Sequence, residues 1–467
     1  MSEATKDRLA DIFPADRIST EDVDLQKHAD DWSPGALLAR RAGKLPQSPQ
    51  AIVRPENTGQ VSTLLEWAAR TRTPVIPYGG GSGVLAGIRV ESPEAIVVDL
   101  GDMWHIHDLD DRSRLVRVEA GVSGPQLTEA LAVQGYLLGH EPQSIAISTV
   151  GGWIATRASG QLSARYGGIE DLLVSLEAVL PGGKVVRSKP APRRAAGPDV
   201  AALMIGSEGT LGIVTEATLR ISPLPVDRLD LCLRFGHMTD GVKAARAFAQ
   251  SDLQPTMVRL YDAEDASLFL RHHPDEQPGP LMVCSFDGRD AARRAAEAAA
   301  LAGGREGNPA LVEHWWKHRN NAVHEFKSLM AGEGLLGPHG IVETMEVAGS
   351  WSVLRELYHS MKEELSGRAD IVGCHLSHIY PDGACLYFTM GAVCENDDEA
   401  TEKLEGWWDA GMEKCLSAGG SISHHHGIGR TKARWLEDES GGWFEVLQAV
   451  KKAIDPAGIM NPGALGL

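Results

Sequence analysis

Apolar positions change period twice between residues 51 and 79. "AIVRP" (51–55) is a short apolar run. "TGQVSTLLEWAART" (58–71) repeats apolar residues at helical spacing behind a Thr cap, and "PVIPY" (74–78) is a second short run before a cluster of glycines. The pattern predicts strand, helix, strand and glycine loop. Further strands are expected at "AIVVDL" (95–100), "RLVRVEAGV" (114–122), "LLVSLEAVLPGGKVV" (172–186) and "GTLGIVTEATLRISP" (209–223), with a helix at "GPQLTEALAVQGY" (124–136). Past Pro223–Pro225 the texture changes. Strand patterns at 229–235, 256–262, 369–380 and 383–393 alternate with helical ones at 239–252, 289–304, 351–367 and 397–420. The chain thus divides into a charged helical lead-in (1–45), a glycine-punctuated α+β unit (46–225), an α/β layer unit (226–415) and a C-terminal segment (416–467).

Composition narrows the class. A chain of 467 residues with 43% apolar and 23% charged residues is long enough for two or three soluble domains. Its net charge of −18 argues against a nucleic-acid partner, and an anionic substrate would need a local cluster of Arg or Lys. The six cysteines form no CxxC pair, which fits buried thiols in a reducing compartment. No signal peptide, lipidation tail or apolar run long enough for a bilayer is evident, so a cytoplasmic location is expected.

Three runs carry chemistry. "PVIPYGGGSGVLAG" (74–87) clusters glycines whose amides can approach phosphate oxygens, although no GK[ST] follows and the GxGxxG fit is poor. "GHEPQSIAISTVGGWIATRASGQLSARYGGIEDLLV" (139–174) mixes small polar residues with Ile147, Val150, Trp153, Ile154 and Leu162, unlike a disordered linker. "GSEGTLGIVTEATL" (206–219) is the third. Late in the chain, "GGSISHHHGIGRTKARW" (419–435) sets three histidines before two glycines and three cations. On extended backbone consecutive histidines point to alternating faces, so His424, His425 and His426 cannot all ligate one ion. Imidazoles titrate near neutral pH and suit proton transfer. For Arg430, Lys432 and Arg434 a solvated helix face is expected for at least two.

In order and content these segments resemble the FAD-binding domain of the vanillyl-alcohol oxidase / p-cresol methylhydroxylase superfamily, from about residue 45 onward. Within it, "GHEPQS…STVGGWIATRASG", "DGACLYF" and "SISHHHGIG" are most similar to the alkyldihydroxyacetonephosphate synthases. A looser similarity links the chain to the D-lactate, glycolate and D-2-hydroxyglutarate dehydrogenases. The resemblance implies an α+β fold: a two-part FAD-binding domain over 46–225, a substrate cap with an antiparallel sheet over 226–415, and a C-terminal segment returning to the flavin. Pro77, Tyr78, Gly79, Gly80, Gly81, Ser82 and Gly83 would hold the pyrophosphate. Gln143, Ser144, Ser148, Thr149, Gly151, Gly152, Thr156, Arg157, Ala158, Ser159, Glu208, Gly209, Thr210, Gly212, Ile213 and Val214 would line the rest. Ser82 stands where some relatives carry a flavin-linked histidine, which implies non-covalent FAD.

The resemblance also implies that Tyr387, His424, His425 and His426 are active-site groups supported by Arg259. A tyrosine with an ordinary pKa needs neighbouring positive charge, such as His⁺, to act as a base. Where dehydrogenase relatives use a metal, this chain has His425 and Tyr387 in place of a Glu and a His; His375 and His378 remain as candidates, and a metal is unfavoured. The expected reaction is oxidation of a CH–OH carbon of a small, anionic hydroxy-acid-like substrate, with hydride passing to the flavin and Tyr387 or a histidine taking the hydroxyl proton. Oxygen or an electron carrier would take the electrons, and relatives are often dimers. The alternative is a synthase-type transferase of ether-lipid synthesis. Against it, the place of the synthase's phosphate-binding arginine falls near Gly332, with only Lys327 cationic nearby.

Overall fold

The computed structural model describes every residue except 272 and 274–278, and every side chain among these except those of 322–324. In it Ala51–Val53, Ile96–Asp99 and Val75–Tyr78 lie side by side as a parallel sheet, with Ile18–Ser19 antiparallel on its outer edge. The helix Thr58–Thr71 buries Val61, Leu64, Leu65 and Ala68, the 3.6-residue stripe, against Val75, Ile96 and Val98. Its cap is Asn57, not the expected Thr58: the Asn57 side chain accepts from the Gln60 amide while Thr58 already has entered the helix. A five-stranded antiparallel sheet follows, in the order Ile106–Asp110, Leu115–Glu119, Ile213–Arg220, Leu173–Val179 and Val185–Arg187. The helix Val150–Thr156 packs Trp153 and Ile154 into the core of that sheet.

The second half is built on a seven-stranded sheet, wholly antiparallel. Met257–Tyr261, Ile371–Ser377 and Gly383–Ala392 are neighbours in that order, with Ile341–Ser350 next as the edge strand. Alternation sorts their side chains. Leu260, Leu376, Leu386 and Val347 enter a core shared with the helices Met238–Ala249, Ala291–Ala302, Leu354–Ser366 and Asp397–Ser417. The opposite face carries polar groups. Register aligns Tyr261 with His375, His375 with Tyr387, and Tyr387 with Glu346, so four strands contribute one cross-sheet row.

The C-terminal segment ties the halves together. Ser421 bridges Ala348 on the edge of the large sheet, and Met460 bridges Val75 on the parallel one. All six cysteines are buried. Among the described residues no helix is long and apolar enough to cross a membrane.

Candidate active site

The glycine loop is shaped by what it touches. A Cβ on Gly80 would lie 1.7 Å from the Ile147 carbonyl oxygen, and one on Gly79 2.5 Å from Thr149 Oγ1. Gly81 has φ +63°, a conformation that L side chains rarely adopt. The loop therefore lies directly on the Ser/Thr run, and glycine is required there by backbone contact. Among the described residues the amides of Gly79–Gly83 donate to no protein acceptor, and all five residues line the cleft between the two halves. Successive free amides on such a turn make an anion-binding concavity. The pyrophosphate of FAD fits this cradle.

Across the cleft stand the histidines. The Glu346 carboxylate accepts the backbone N–H groups of His424, His425 (3.3 Å) and His426 (3.1 Å), the Ser423 hydroxyl (2.8 Å) and Lys432 Nζ (2.9 Å). Burial alone would raise its pKa. Lys432, joined by His425 and His426 once those rings are protonated, outweighs burial and holds the carboxyl well below the usual range. The triplet's backbone is thus wrapped around a buried carboxylate, which turns the rings outward. His425 and His426 reach the cleft beside Tyr387, at ring separations of 6.2 and 5.5 Å. Burial holds His425 far below its ordinary pKa and His426 at about 4, so both are neutral imidazoles near pH 7. The imidazoles beside Tyr387 are neutral instead of the expected His⁺, and burial, outweighing the Thr344 hydrogen bond and the Arg259 charge, raises that phenol to about 12. Tyr387 is a hydrogen-bond donor here, and the imidazoles are the groups able to accept a proton.

Arg259 and His375 form one unit. Arg259 donates to His375 Nε2 (2.6 Å), His375 donates from Nδ1 to Asp265 (2.9 Å), and the His375 ring stacks on Tyr387 at 4.7 Å. Burial, then Arg259, lowers His375 to about 4. Arg259 lines the cleft, and its buried Nε has no partner among the described residues. Among the described residues it is the one Arg or Lys side chain on the cleft wall.

The structure brings nearly all the expected residues to this cleft; three stand apart from its lining. Arg157 caps a helix in the left-handed region (φ 53°) and points to Glu170 and solvent. Thr210 is buried, its hydroxyl bonded to the Ser207 carbonyl (2.7 Å). His424 sits behind His425, bonded to it and to Tyr380. Glu208 lines the cleft, but its carboxylate accepts the amides of Ile428 (2.7 Å) and Gly429 (2.9 Å), clasping the histidine loop to the first half.

The expectation for the late cations is corrected. Only Arg434 is solvated. Lys432 is fully buried on Glu346, and Arg430 bonds the carbonyls of Ala86 (3.0 Å), Gly87 (2.9 Å) and Pro462 (2.7 Å). The metal candidates are committed as well. Ligand atoms of His378, His424 and His425 come within 4.8 Å of one another. However, both nitrogens of His424, His378 Nδ1 and His425 Nδ1 are hydrogen-bonded, leaving one free nitrogen on each of two rings. Both His375 nitrogens are engaged too. Sequence reasoning passed over Glu346, Asp265 and Asp31. The last is a buried carboxyl that accepts the Ala86 (3.2 Å) and Gly87 (2.9 Å) amides and is raised to about 6 by burial and Asp30.

Comparison with known proteins gives the context. Residues 49–189 match the FAD binding domain model, and residues 225–465 the C-terminal domain model of FAD linked oxidases. An FAD-linked oxidoreductase of Escherichia coli O157:H7, YgcU, is 32% identical over 99% of this chain and 98% of its own. The alkyldihydroxyacetonephosphate synthase of Caenorhabditis elegans is 30% identical over 91% of this chain and 77% of its own. The mitochondrial D-lactate dehydrogenase [cytochrome] of Arabidopsis thaliana is 30% identical over 89% and 73%. A solved alkyldihydroxyacetonephosphate synthase superposes with a TM-score of 0.82 at 26% identity, over 99% of this chain and 85% of that one. p-Cresol methylhydroxylase, at 15% identity over 100% and 98%, shares the fold with a TM-score of 0.77.

Proposed function

The chain belongs to the FAD-linked oxidases and takes FAD as its cofactor, and on that premise we propose that it oxidises the CH–OH carbon of a small anionic hydroxy acid. The observation that carries this reading is the pairing of Arg259, a single cleft-wall cation with an unpartnered Nε, with the neutral imidazoles of His425 and His426. One guanidinium matches one carboxylate and fixes the substrate's orientation. The Asp265–His375 pair steers that guanidinium into the cleft. Bound FAD supplies the hydride-accepting chemistry. The His425 imidazole takes the hydroxyl proton as the C–H bond breaks, and the Tyr387 hydroxyl donates a hydrogen bond to the substrate oxygen. Oxygen or an electron carrier would take up the electrons.

The test is anaerobic mixing with a panel of 2-hydroxy acids, following the flavin band near ~450 nm. Bleaching by at least one member supports the proposal, and no bleaching by any of them sinks it. A second reading, a synthase-type transferase of ether-lipid synthesis, draws support from the 0.82 superposition on a synthase. Its phosphate-binding place near Gly332 is occupied by backbone at φ 82°, with the Pro338 carbonyl 2.5 Å from any added Cβ. Lys327 stacks over Trp32 instead, at 3.0 Å. Bleaching by acyl-dihydroxyacetone phosphate alone would favour that reading.

A further inference from the structure

A chain of hydrogen bonds runs behind the cleft and joins two of its walls. His425 Nδ1 lies 3.0 Å from His424 Nδ1, and His424 Nε2 lies 3.1 Å from the Tyr380 hydroxyl. That hydroxyl is 3.3 Å from Ser163 Oγ, which is 2.7 Å from His378 Nδ1. The two ends meet: the His378 and His425 rings are 4.8 Å apart, and both line the cleft. Among the described residues His424, Tyr380 and Ser163 do not line it. Nothing in the proposed reaction so far requires them.

The polarity of this chain follows from donor arithmetic. A neutral imidazole has one donor and one acceptor nitrogen and a hydroxyl has one proton, so fixing the first bond sets the direction along this chain; Ser159 Oγ, 3.4 Å from His378 Nδ1 against 2.7 Å for Ser163, is a longer second partner at its end. Glu346 is ionised, and its Oε2 stands 3.9 Å from His425 Nδ1, which favours a proton there. His425 Nδ1–H then donates to His424 Nδ1, and His424 Nε2–H to Tyr380. Tyr380 donates to Ser163, and Ser163 to His378 Nδ1. His425 is left with a lone pair on Nε2 and His378 with a proton on Nε2, the two nitrogens not otherwise engaged.

We propose that Tyr380 and Ser163 are positioning residues of a proton relay that holds His425 in its accepting tautomer and carries the substrate's proton from His425 to His378. This inference rests on the reading of His425 as proton acceptor. In the step, the substrate O–H bond breaks and His425 Nε2–H forms; the C–H electron pair would leave as hydride, which bound FAD would accept. The His425 Nδ1 proton passes to His424 Nδ1, the His424 Nε2 proton to Tyr380, the tyrosine's proton to Ser163, and the serine's proton to His378 Nδ1. His378 releases its Nε2 proton to water. One proton crosses, every hydrogen bond reverses, and proton exchange with water at both ends restores the starting polarity.

The experiment uses holoenzyme labelled with 15N-histidine, in which imidazole correlations report each tautomer, assigned by single His→Gln variants. The wild type should show His425 protonated at Nδ1 and His424 at Nε2. In Tyr380→Phe that order should be lost. Flavin reduction by substrate should slow by about 100-fold, the lower end of acid–base effects. Its rate plotted against the deuterium fraction of the solvent should change from bowed, several protons in flight, to straight. His425 protonated at Nε2 in the wild type, or tautomers and isotope plot unchanged in Tyr380→Phe, would overturn the relay. Should Tyr380→Phe lose FAD or fail to fold, Ser163→Ala carries the same measurements with the same outcomes. Tautomers as stated in an enzyme that no hydroxy acid reduces would sink the proposed reaction and leave the tautomer assignment intact.

Discussion

Lys432 and Glu346 are both fully buried and form an ion pair at 2.9 Å. Removing one partner leaves an uncompensated charge. Lys432→Met should therefore cost about 3–5 kcal/mol of unfolding free energy, measured from urea midpoints. Arg434→Ala, two residues on, removes a cation that is 57% exposed and should change the midpoint by less than about 0.5 kcal/mol. The same scale separates the cleft groups by what they can do. His425→Gln should slow flavin reduction by about two to four orders of magnitude in stopped-flow, because it deletes the proton acceptor. Arg259→Gln should act on affinity instead. Losing a charge-assisted hydrogen bond of about 1.5–3 kcal/mol would weaken binding of a carboxylate substrate by about 10- to 150-fold.

Among the elements, the glycine loop is where sequence and structure agree most closely, because glycine clusters and short apolar runs are local signals. Gly80→Ala places a methyl group against a backbone carbonyl that cannot swing away. The expected result is loss of FAD from the purified protein, seen as a lower ratio of flavin to protein absorbance, with about 1–3 kcal/mol of destabilisation. The parallel and antiparallel strands near the flavin domain were legible for the same local reason. Glu346 was not. In "IVETMEVAGS" it reads as one polar residue of an alternating strand, and its meaning depends on a register that sets it opposite Tyr387. Lys432 misled for a related reason: a cation after glycines looks solvated until the buried carboxylate it meets, 86 residues away in sequence, is known. The hydrogen bonds linking Ser163 to Tyr380 and Tyr380 to His424 span 217 and 44 residues and leave no trace in spacing.

For the whole molecule, the buried histidines make activity and stability respond differently to acid. His375 and His426 are lowered to about 4 and His140 to about 3, all chiefly by burial. The folded protein keeps these rings neutral while the unfolded chain protonates them below about 6.5, so it is the unfolded state that binds protons between those values. Stability must therefore fall as pH drops from about 6.5 to 4, by up to about 1.4 kcal/mol per unit for each ring. Asp31, raised to about 6, and Glu343, raised to about 8, act in the opposite sense, but the lowered histidines outnumber them. Flavin reduction depends on a neutral His425 imidazole, which burial holds far below its ordinary pKa, so the rate should stay flat as pH falls through about 6.5, where an exposed histidine titrates. A melting temperature that falls across an interval where the reduction rate is flat is the expected pair of curves. A rate that declines already near 6.5 would mean that the acceptor titrates as an ordinary histidine.

The alternation of the large sheet bears on how specificity could be redesigned. One step beyond the row that aligns His375 and Tyr387 lies a second, Gly373, Thr389 and Thr344, on the same face. Substitutions at Thr344, the member of that row that lines the cleft, would reshape the space offered to a longer or bulkier acid, whereas a side chain at Gly373 would press on Asp265, 2.9 Å from an added Cβ. Insertion of a single residue into any of these strands would instead exchange the two faces and lose both reactivity and core at once. Libraries built in steps of two along these strands should thus yield folded variants with altered acid preference.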